Sequence, residues 1–263
     1  MSRTNPQTVL ITGASTGIGF ELARVFARNG HPLVLVARNS ERLKAAEQKL
    51  KGEFSVPVAV FAKDLEDPKA PEQLYAEVSA KGHTIGILVN NAGFGSHGKF
   101  HEGDLKSDLT MIQLNVTTLT HLTKLYVKDM VKRGSGRILN VASTAAFQPG
   151  PLMAVYYASK SYVLHLSEAI ANELEGTGVT LTCLCPGATQ SEFFTRAQAQ
   201  NTRLFKSRVM DAPTVAEAGY RALMAGKAVV IPGFTNRALA QGYRFVPRSL
   251  VTKISRSVVE LAQ

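Results

Sequence analysis

Seven apolar runs of strand length, separated by amphipathic stretches, constrain the fold of this chain more than any other feature. The runs are nearly continuous in Val, Ile and Leu, which is typical of strands buried on both faces of a parallel sheet. They are Val9–Thr12, Pro32–Ala37, Val56–Ala62, Ile85–Asn90, Arg137–Ala142, Val179–Cys185 and Ala228–Ile231. The clearest amphipathic stretches between them are Ile18–Arg28, Ser40–Lys51, Glu72–Lys81, Tyr157–Leu174 and Val215–Ala225. This alternation predicts a single doubly wound α/β domain, with seven parallel strands and helices on both faces of the sheet.

Size and composition agree with one globular domain. The chain has 263 residues, of which 45% are hydrophobic and 19% are charged. These values are typical neither of a disordered protein nor of a membrane-spanning one. The first residues, Met1–Thr8, are polar and lack the apolar core of a signal peptide. No run reaches the roughly 18 apolar residues of a membrane helix, so we expect a cytoplasmic protein.

A glycine-rich turn, T-G-A-S-T-G-I-G, directly follows the first predicted strand. Glycines allow a tight turn, a close approach of the backbone to a diphosphate and close packing of the next helix. The N-terminus of that helix offers amide donors and a partial positive charge to an anion. Because the turn lies between a predicted strand and a predicted helix, it indicates a dinucleotide site of the Rossmann type. The residues assigned to this site are Gly13, Ser15, Thr16, Gly17, Ile18 and Gly19.

The end of the second predicted strand indicates which dinucleotide is bound. NAD sites place a carboxylate about 20 residues beyond the glycines to hold the ribose 2′-hydroxyl, whereas a 2′-phosphate needs an arginine. Here Arg38 follows the strand, and no Asp or Glu occurs before Glu41. A guanidinium can bind a phosphate through two hydrogen bonds, so we predict NADP(H) as the cofactor. The alternative is that Arg38 is a solvated loop charge.

Two later segments complete the predicted cofactor cleft. Asp64 and Leu65 follow the third strand, where the Asp64 carboxylate can accept a hydrogen bond from the adenine amino group. The alternative role of Asp64 is to cap a helix. Asn91, Ala92 and Gly93 end the fourth strand with small residues, which suits backbone that lies close to a cofactor. An asparagine there can equally well fix the turn.

Tyr156 and Lys160 form the candidate catalytic pair. They are four residues apart on a predicted helix, so the phenol and the ammonium share one face. A neighbouring cation favours the phenolate and lowers the tyrosine pKa from about 10, which suits a general acid or base near neutral pH. Ser143, at the end of a strand, can hydrogen-bond the same substrate oxygen. A Y-x-x-x-K spacing alone is more often an ordinary helix surface, but together with the serine and the glycine turn it indicates a catalytic site.

In combination these motifs resemble the short-chain dehydrogenase/reductase family over residues 8–231 at least. The segments that carry the resemblance are Thr12–Gly19, Asn90–Gly93, Asn115 in Q-L-N-V, Ser143 in N-V-A-S, Tyr156 with Lys160, and Pro186-Gly187. The resemblance selects Tyr156 over its neighbour Tyr157 as the acid/base. It implies that Lys160 lowers the pKa of Tyr156 and binds the nicotinamide ribose, and that Ser143 positions the carbonyl or hydroxyl of the substrate.

The resemblance also implies roles for five further residues. Asn115 holds a water that connects the lysine to solvent, although a structural role at a helix bend stays an alternative. Pro186, Gly187 and Thr189 contact the nicotinamide. Ser191 stands near the diphosphate, at a position where the family often has threonine.

Aromatic and apolar residues near the predicted site indicate a lipophilic ketone or aldehyde as substrate. Besides Ser143, the substrate-binding candidates are Phe94, Phe147, Met153 and Phe193. Phe193 belongs to a predicted lid over residues 190–211. The alternative is that these residues pack within the lid and do not contact the substrate. We predict no metal site, because His97 and His101 lack metal-ligand spacing to a carboxylate and are expected to be exposed loop residues.

The end of the chain departs from the family pattern. We interpret residues 1–233 as the cofactor-binding and catalytic domain, and residues 234–263 as a basic extension with an amphipathic helix from Ser249 onward. The extension can pack within the protein or an oligomer, close over the active site, or lie on an anionic membrane. Packing is favoured over the membrane, because few helices of this charge density are true anchors.

These observations predict an NADP-dependent oxidoreductase that transfers hydride between NADPH and a small-molecule ketone or aldehyde. A homodimer or homotetramer is expected, and no nucleic-acid partner. The formal net charge of +10 supports one alternative of another class, a dinucleotide-binding regulator that contacts nucleic acid or membrane through its basic surface. The complete set of Ser143, Tyr156 and Lys160 argues against it, because a sensor does not need all three residues.

Overall fold

The computed structural model describes residues 6–190, 202 and 209–260. The strands are β1 (Thr8–Thr12), β2 (Leu33–Ala37), β3 (Val58–Ala62), β4 (Ile85–Asn90), β5 (Gly136–Val141), β6 (Val179–Leu184) and β7 (Val229–Val230). The helices are α1 (Gly17–Arg28), α2 (Ser40–Glu53), α3 (Ala70–Ala80), α4 (Leu105–Ile112), α5 (Leu119–Arg133), α6 (Ala154–Glu173), α7 (Ala212–Met224), α8 (Phe234–Gly242) and α9 (Arg248–Val259). A π-helical turn, Gln113–Thr118, connects α4 to α5.

The strands form one parallel sheet in the order β3-β2-β1-β4-β5-β6-β7. The order reverses between β1 and β4, which run side by side with Ile11 opposite Val89. In a doubly wound sheet, ligands bind outside the carboxyl ends of the strands at such a reversal. The predicted Rossmann-type sheet of seven parallel strands is therefore confirmed, and its topology locates the ligand crevice.

Two apolar layers cover the sheet. Leu10, Val34 and Leu88 face the layer that includes α3 and α5, whereas Val9 and Ile11 face the layer that includes α1 and α7. Neighbouring residues of β1 thus point into opposite layers, and both are fully buried. This two-sided burial explains why the strands read as continuous apolar runs.

The helical region between β4 and β5 was not among the clear amphipathic stretches of the sequence. Apolar residues on its solvent side obscure the helical pattern: Leu105, Leu109 and Ile112 of α4 are 70%, 55% and 41% exposed. The π-helical turn then adds a residue to one turn of the helix and shifts the phase of the pattern. Both effects weaken a signal that depends on a regular 3.6-residue period.

A buried polar chain crosses the sheet between β4 and β5. Asn90 Nδ2 donates to Asn140 Oδ1 at 2.9 Å and to Thr123 Oγ1 at 2.9 Å, and Asn140 Nδ2 donates to Ser167 Oγ at 3.0 Å. Asn140 is fully buried and connects the sheet to α6. Because buried polar groups are costly when unpaired, this chain stabilises the fold only while it is complete.

We expect Asn140→Ala to lower the free energy of unfolding by about 2–3 kcal/mol, because the Asn90 amide and the Ser167 hydroxyl lose a partner at a buried position. Chemical denaturation followed by circular dichroism measures this change. Asn172→Ala is the control, since Asn172 is exposed on α6 and its loss should change stability by less than about 0.5 kcal/mol. Equal stabilities of the two variants would show that the buried chain contributes nothing.

The C-terminal segment packs on the sheet domain through one side of α9. Val251 and Val259 are 4% and 0% exposed, and Ala240 of α8 is 2% exposed. His97 Nε2 donates to the carbonyl oxygen of Val259 at 2.8 Å. The expectation that His97 is an exposed loop residue was therefore wrong, because the last turn of α9 covers it. In the described ranges, no helix has the length and apolar character needed to cross a bilayer.

Candidate active site

A cavity of about 1040 Å³ lies at the carboxyl ends of the strands. This volume is enough for a ligand larger than a typical drug-sized molecule. Predicted site residues that line it are Gly13, Ser15, Thr16, Gly17, Ile18, Arg38, Asp64, Leu65, Asn91, Ala92, Gly93, Phe94, Ser143, Met153, Tyr156, Lys160, Pro186, Gly187 and Thr189. Two predicted residues, Ser191 and Phe193, fall outside the described residues, as does most of the predicted lid.

The glycine turn is held open by contacts to the end of β4. Asn91 Nδ2 donates to the carbonyl oxygens of Thr12 and Gly13 at 3.0 and 3.1 Å. Gly13 and Gly17 have φ angles of 65° and 56°, which favour glycine. A Cβ on Gly13 would lie 2.9 Å from Asn91 Nδ2 and 3.0 Å from the Cα of Ala92. Glycine at position 13 therefore lets the turn pack directly against the residues that follow β4.

Helix α1 begins at this turn and points its N-terminus at the cavity. Its first turn contains no acidic residue, and the side chain of Thr16 does not cap it. The first amide groups of a helix lack intrahelical partners and carry a partial positive charge, so they suit an anion such as a diphosphate. Ser15 and Thr16 line the same part of the cavity.

Gly19 does not line the cavity but packs beneath the turn. A Cβ there would overlap the carbonyl oxygen of Gly13 and the side-chain nitrogen of Asn91. Of the three roles proposed for the glycines, Gly19 thus serves close packing, and its effect on a ligand is indirect.

Basic side chains surround the far end of the cavity, beyond β2 and β3. Arg38, Arg42 and Lys63 line it together with Asp64 and Glu66. Arg38 Nη1 donates to Glu66 Oε1 at 2.9 Å, and its side chain is 52% exposed. Sequence reasoning missed Arg42, although its position four residues after Arg38 at the start of α2 was a usable signal. Asp64 Oδ1 accepts from the backbone nitrogen of Glu66 at 3.0 Å, so its carboxylate also fixes the local turn.

Tyr156, Lys160 and Ser143 converge at the centre of the cavity. Tyr156 and Lys160 are 9% and 6% exposed on the same face of α6. Ser143 begins a 3₁₀ turn after β5, and its hydroxyl hydrogen-bonds the Tyr156 phenol. Lys160 Nζ donates to the carbonyl oxygen of Val141 at 2.9 Å and lies 5.8 Å from the Tyr156 ring centroid.

The protonation of this trio differs from the sequence expectation in one respect. Burial raises the pKa of the Tyr156 phenol, and the hydrogen bond from Ser143 only partly opposes this. The prediction that Lys160 lowers the pKa of Tyr156 was wrong for the chain alone. Lys160 Nζ instead donates to the carbonyl oxygen of Val141 in β5. Burial also lowers the pKa of Lys160 to about 8.

Asn115 lies behind the trio, in the π-helical turn. It is 1% exposed, and its side chain donates to the carbonyl oxygen of Phe94 at 2.9 Å and accepts from the Phe94 nitrogen at 3.1 Å. Asn115 Nδ2 also lies 3.1 Å from Ser159 Oγ, which in turn donates to the carbonyl oxygen of Tyr156 at 2.7 Å. Asn115 therefore connects the segment after β4 to the first turns of α6.

The structure corrects one substrate-binding prediction and adds residues that sequence reasoning missed. Phe147 does not line the cavity, because it packs into a separate apolar cluster with Leu119 and Val163. The C-terminal segment contributes much of the wall instead: Phe234, Leu239, Ala240, Tyr243, Ser255 and Val258. The amphipathic pattern of the extension was recognised, but nothing in it indicated which side would face the site.

The described residues include no group of three or more His, Cys, Asp or Glu side chains that could hold a metal ion. The two cysteines, Cys183 and Cys185, are fully buried on one face of β6, with their sulfurs 3.7 Å apart.

A family model for short chain dehydrogenases matches residues 7–202. The chain thus belongs to the short-chain dehydrogenase/reductase family and is an oxidoreductase of that class. The NADP-dependent 3-hydroxy acid dehydrogenase of Salmonella typhi is 36% identical over 180 residues, which cover 68% of this chain and 71% of the relative.

Solved structures of the same family resemble the whole fold. A short-chain dehydrogenase from Sphingobium yanoikuyae in complex with NADPH is 34% identical, with a TM-score of 0.81 over 93% of this chain and 94% of the other. The bulky-bulky ketone specific alcohol dehydrogenase from Comamonas testosteroni is 31% identical, with a TM-score of 0.78 over 92% of this chain and 94% of the other.

Proposed function

We propose that this protein is an NADP(H)-dependent reductase of lipophilic ketones or aldehydes, which also catalyses the reverse oxidation of the alcohols. The observation that carries the proposal is the convergence of Ser143, Tyr156 and Lys160 in one cavity with the glycine turn. The family match supports the assignment as an oxidoreductase, and the NADPH complex of the Sphingobium relative supports NADP(H) as the cofactor.

The glycine turn fits a dinucleotide. The positive φ angles of Gly13 and Gly17 shape the turn, and the uncapped N-terminus of α1 would offer amide donors to the diphosphate. Pro186, Gly187 and Thr189 would line the nicotinamide end, and Asp64 and Leu65 the adenine end. When bound, NADPH supplies the hydride for the reduction.

Tyr156 donates the proton that the reduced oxygen needs. Its raised pKa keeps the phenol protonated at neutral pH, so it can act as the general acid. The Ser143 hydroxyl hydrogen-bonds the same oxygen and fixes its direction. The Lys160 ammonium binds the nicotinamide ribose, and its positive charge favours the phenolate that remains after proton transfer.

A path for returning the proton runs behind Lys160. Asn115 sits beside the start of α6, and a Cβ on Gly93 would lie 2.9 Å from Asn115 Oδ1 and 3.5 Å from Lys160 Nζ. Gly93, which has no side chain, thus lies between the Asn115 amide and the Lys160 ammonium. A water held by Asn115 would connect Lys160 to solvent, in agreement with the role that the family resemblance implies.

The choice of NADP(H) over NAD(H) depends on the basic end of the cavity. Arg38 and Arg42 would bind the 2′-phosphate, and Arg38 would exchange its partner Glu66 for that phosphate. We expect Arg38→Asp to lower the ratio of kcat/KM for NADPH over NADH by roughly 10- to 100-fold, the effect of one or two charge-assisted hydrogen bonds. Steady-state kinetics with both cofactors measures the ratio.

Arg24→Asp is the matched control, because Arg24 is a partly exposed arginine that pairs with Glu21 and Glu53 on α1 and α2 and does not line the cavity. Its cofactor ratio should stay unchanged. Glu66→Gln should strengthen NADPH binding, since it removes a competing carboxylate. An unaltered ratio in Arg38→Asp would show that Arg38 does not bind the phosphate.

The affinity for NADPH should decrease as the pH rises through about 8. Burial lowers the pKa of Lys160 to about 8, so the ammonium that binds the ribose is present below this pH and is lost above it. The loss of that hydrogen bond should weaken binding by about tenfold. Fluorescence titration of NADPH from pH 6.5 to 9.5 measures the change, and Lys160→Met should give a weak, flat profile. A wild-type affinity that is constant across the range would contradict this role of Lys160.

A screen of ketones and aldehydes of graded size for NADPH oxidation tests the proposed function. Turnover that depends on the carbonyl compound and rises with its apolar size is the expected result. NADPH binding without turnover of any carbonyl compound would contradict the proposal. The homodimer or homotetramer expected from the family resemblance stays a prediction, which light scattering of the purified protein tests.

A further inference from the structure

Three hydroxyl groups meet in the part of the cavity that the C-terminal segment encloses. They belong to Tyr157 on α6, Tyr243 in the 3₁₀ turn after α8, and Ser255 on α9, and all three residues line the cavity. The Tyr156 and Tyr157 rings are 6.0 Å apart between centroids. The three hydroxyls thus form a second polar group near the proposed site of proton transfer, within walls that are otherwise largely apolar.

One of these hydroxyls lacks a hydrogen-bond partner within the part of the chain that the structure describes. Ser255 is 3% exposed, and its Oγ makes no hydrogen bond. Tyr157 is 6% exposed, and its hydroxyl lies beside that of Ser255. Buried hydroxyls in native proteins are nearly always paired, so an unpaired hydroxyl in the wall of a cavity indicates a ligand.

The hydroxyls are close to one another and are rigidly held. Burial raises the pKa of Tyr157 to about 12, and the neighbouring Ser255 hydroxyl opposes this rise. The Tyr157 ring packs directly on Gly150, where a Cβ would overlap it. A ring fixed in this way presents its hydroxyl at a defined position and loses little entropy when a ligand binds.

The charge around the three hydroxyls selects a neutral ligand group. Among the described residues that line the cavity, the cations are Arg38, Arg42, Lys63 and Lys160. The first three lie at the adenine end, and Lys160 faces β5. A carboxylate placed among hydroxyls alone would be buried without a counter-ion, which is costly. A hydroxyl, carbonyl or ether oxygen needs only the donors and acceptors that these residues offer.

We propose that Tyr157, supported by Ser255 and Tyr243, binds a second, neutral oxygen group of the substrate, so that the preferred substrates are lipophilic ketones with a distant hydroxyl or carbonyl. This inference rests on the proposed function and goes beyond it, because it names a substrate class and a specificity site. Ser255 and Tyr243 support Tyr157, since they line the same cavity beside it.

Two series of probe ketones test the inference. One series consists of straight-chain methyl ketones, and the other of the same ketones with a terminal hydroxyl, each with three to nine methylene groups. The measured quantity is the ratio of kcat/KM for the hydroxy ketone over the plain ketone at each chain length. We expect the ratio to reach a maximum of about threefold to tenfold at one length, the effect of one hydrogen bond.

Variants then separate binding from structure. In Tyr157→Phe and Ser255→Ala the maximum should disappear, and the ratio should approach one at every length. Ser257→Ala is the matched control, because Ser257 is exposed on the same helix, and it should keep the wild-type maximum. Ser255→Ala should leave the melting temperature unchanged or raise it, because it removes an unpaired buried hydroxyl.

The outcomes distinguish this inference from the proposed function. Reduction of both series with no preference at any length, or a preference that survives in Tyr157→Phe, would overturn the inference and leave the reductase intact. A marked loss of stability in Ser255→Ala would also contradict it, because the hydroxyl would then have a structural partner. If neither series is reduced, the proposed function fails. The hydroxyl site can still be tested by calorimetry, which compares the affinities of 1,8-octanediol and 1-octanol for the NADP⁺-loaded protein.

Discussion

Tyr156→Phe is expected to lower kcat for ketone reduction by about 10²- to 10⁴-fold, the range of general acid catalysis. The substitution removes only the hydroxyl, and the ring stays packed between Ser143 and Tyr157. Because the cofactor is held mainly by the glycine turn and the basic end of the cavity, the dissociation constant for NADPH should remain within about threefold of the wild-type value. Single-turnover oxidation of NADPH, together with fluorescence titration, measures both quantities.

Tyr162→Phe is the matched control. Tyr162 lies on the same helix, is 40% exposed and lies 3.1 Å from Thr120 Oγ1, away from the cavity. The control should keep full turnover. Equal turnover of Tyr156→Phe and the wild type would show that another group donates the proton, and loss of NADPH binding would show that the phenol holds the cofactor.

Gly19→Ala is expected to weaken cofactor binding strongly, although it adds only one methyl group. The new Cβ would overlap the carbonyl oxygen of Gly13 and the side chain of Asn91, which together set the shape of the turn. Overpacking of this kind costs roughly 1–3 kcal/mol, and here it would displace the turn that would bind the diphosphate. We therefore expect NADPH affinity to decrease by about 100-fold and the melting temperature to decrease as well.

Gly52→Ala is the matched control, because Gly52 lies in α2 with nothing within 4 Å of the added Cβ. This substitution should stabilise the protein by about 0.5–1 kcal/mol, since alanine is the better helix former. An unchanged NADPH affinity in Gly19→Ala would contradict the packing role of Gly19, whereas equal destabilisation by both variants would show that the effect is not specific to the turn.

The sheet could be predicted from the sequence because its signal is local. Runs such as Ile85–Asn90 are buried on both faces, and their boundaries agree with the strand in the structure. The same holds for the convergence of Ser143, Tyr156 and Lys160, since Tyr156 and Lys160 lie on one face of α6 and Ser143 closely follows the neighbouring strand β5. Short-range geometry determines all of these positions.

The rest of the site depends on contacts between distant parts of the chain. Ser255 reaches the cavity only because α9 lies beside Tyr157, which is about 100 residues earlier, and no periodicity encodes that contact. The direction of Lys160 was missed for a related reason. Its ammonium could pair with the phenol or with the carbonyl of Val141, and only the packing of α6 against β5 decides between them.

The π-helical turn at Gln113–Thr118 makes α4 and α5 two helices with different angular settings. A π-helical turn holds one residue more than an α-helical turn, so deleting one residue there would leave a continuous α-helix. Leu122, Tyr126 and Met130, which face the sheet, would keep that direction, whereas Asn115, which belongs to the wide turn, would leave its position. A chain shortened by this one residue would thus keep its core and lose the link that Asn115 makes between Phe94 and Ser159.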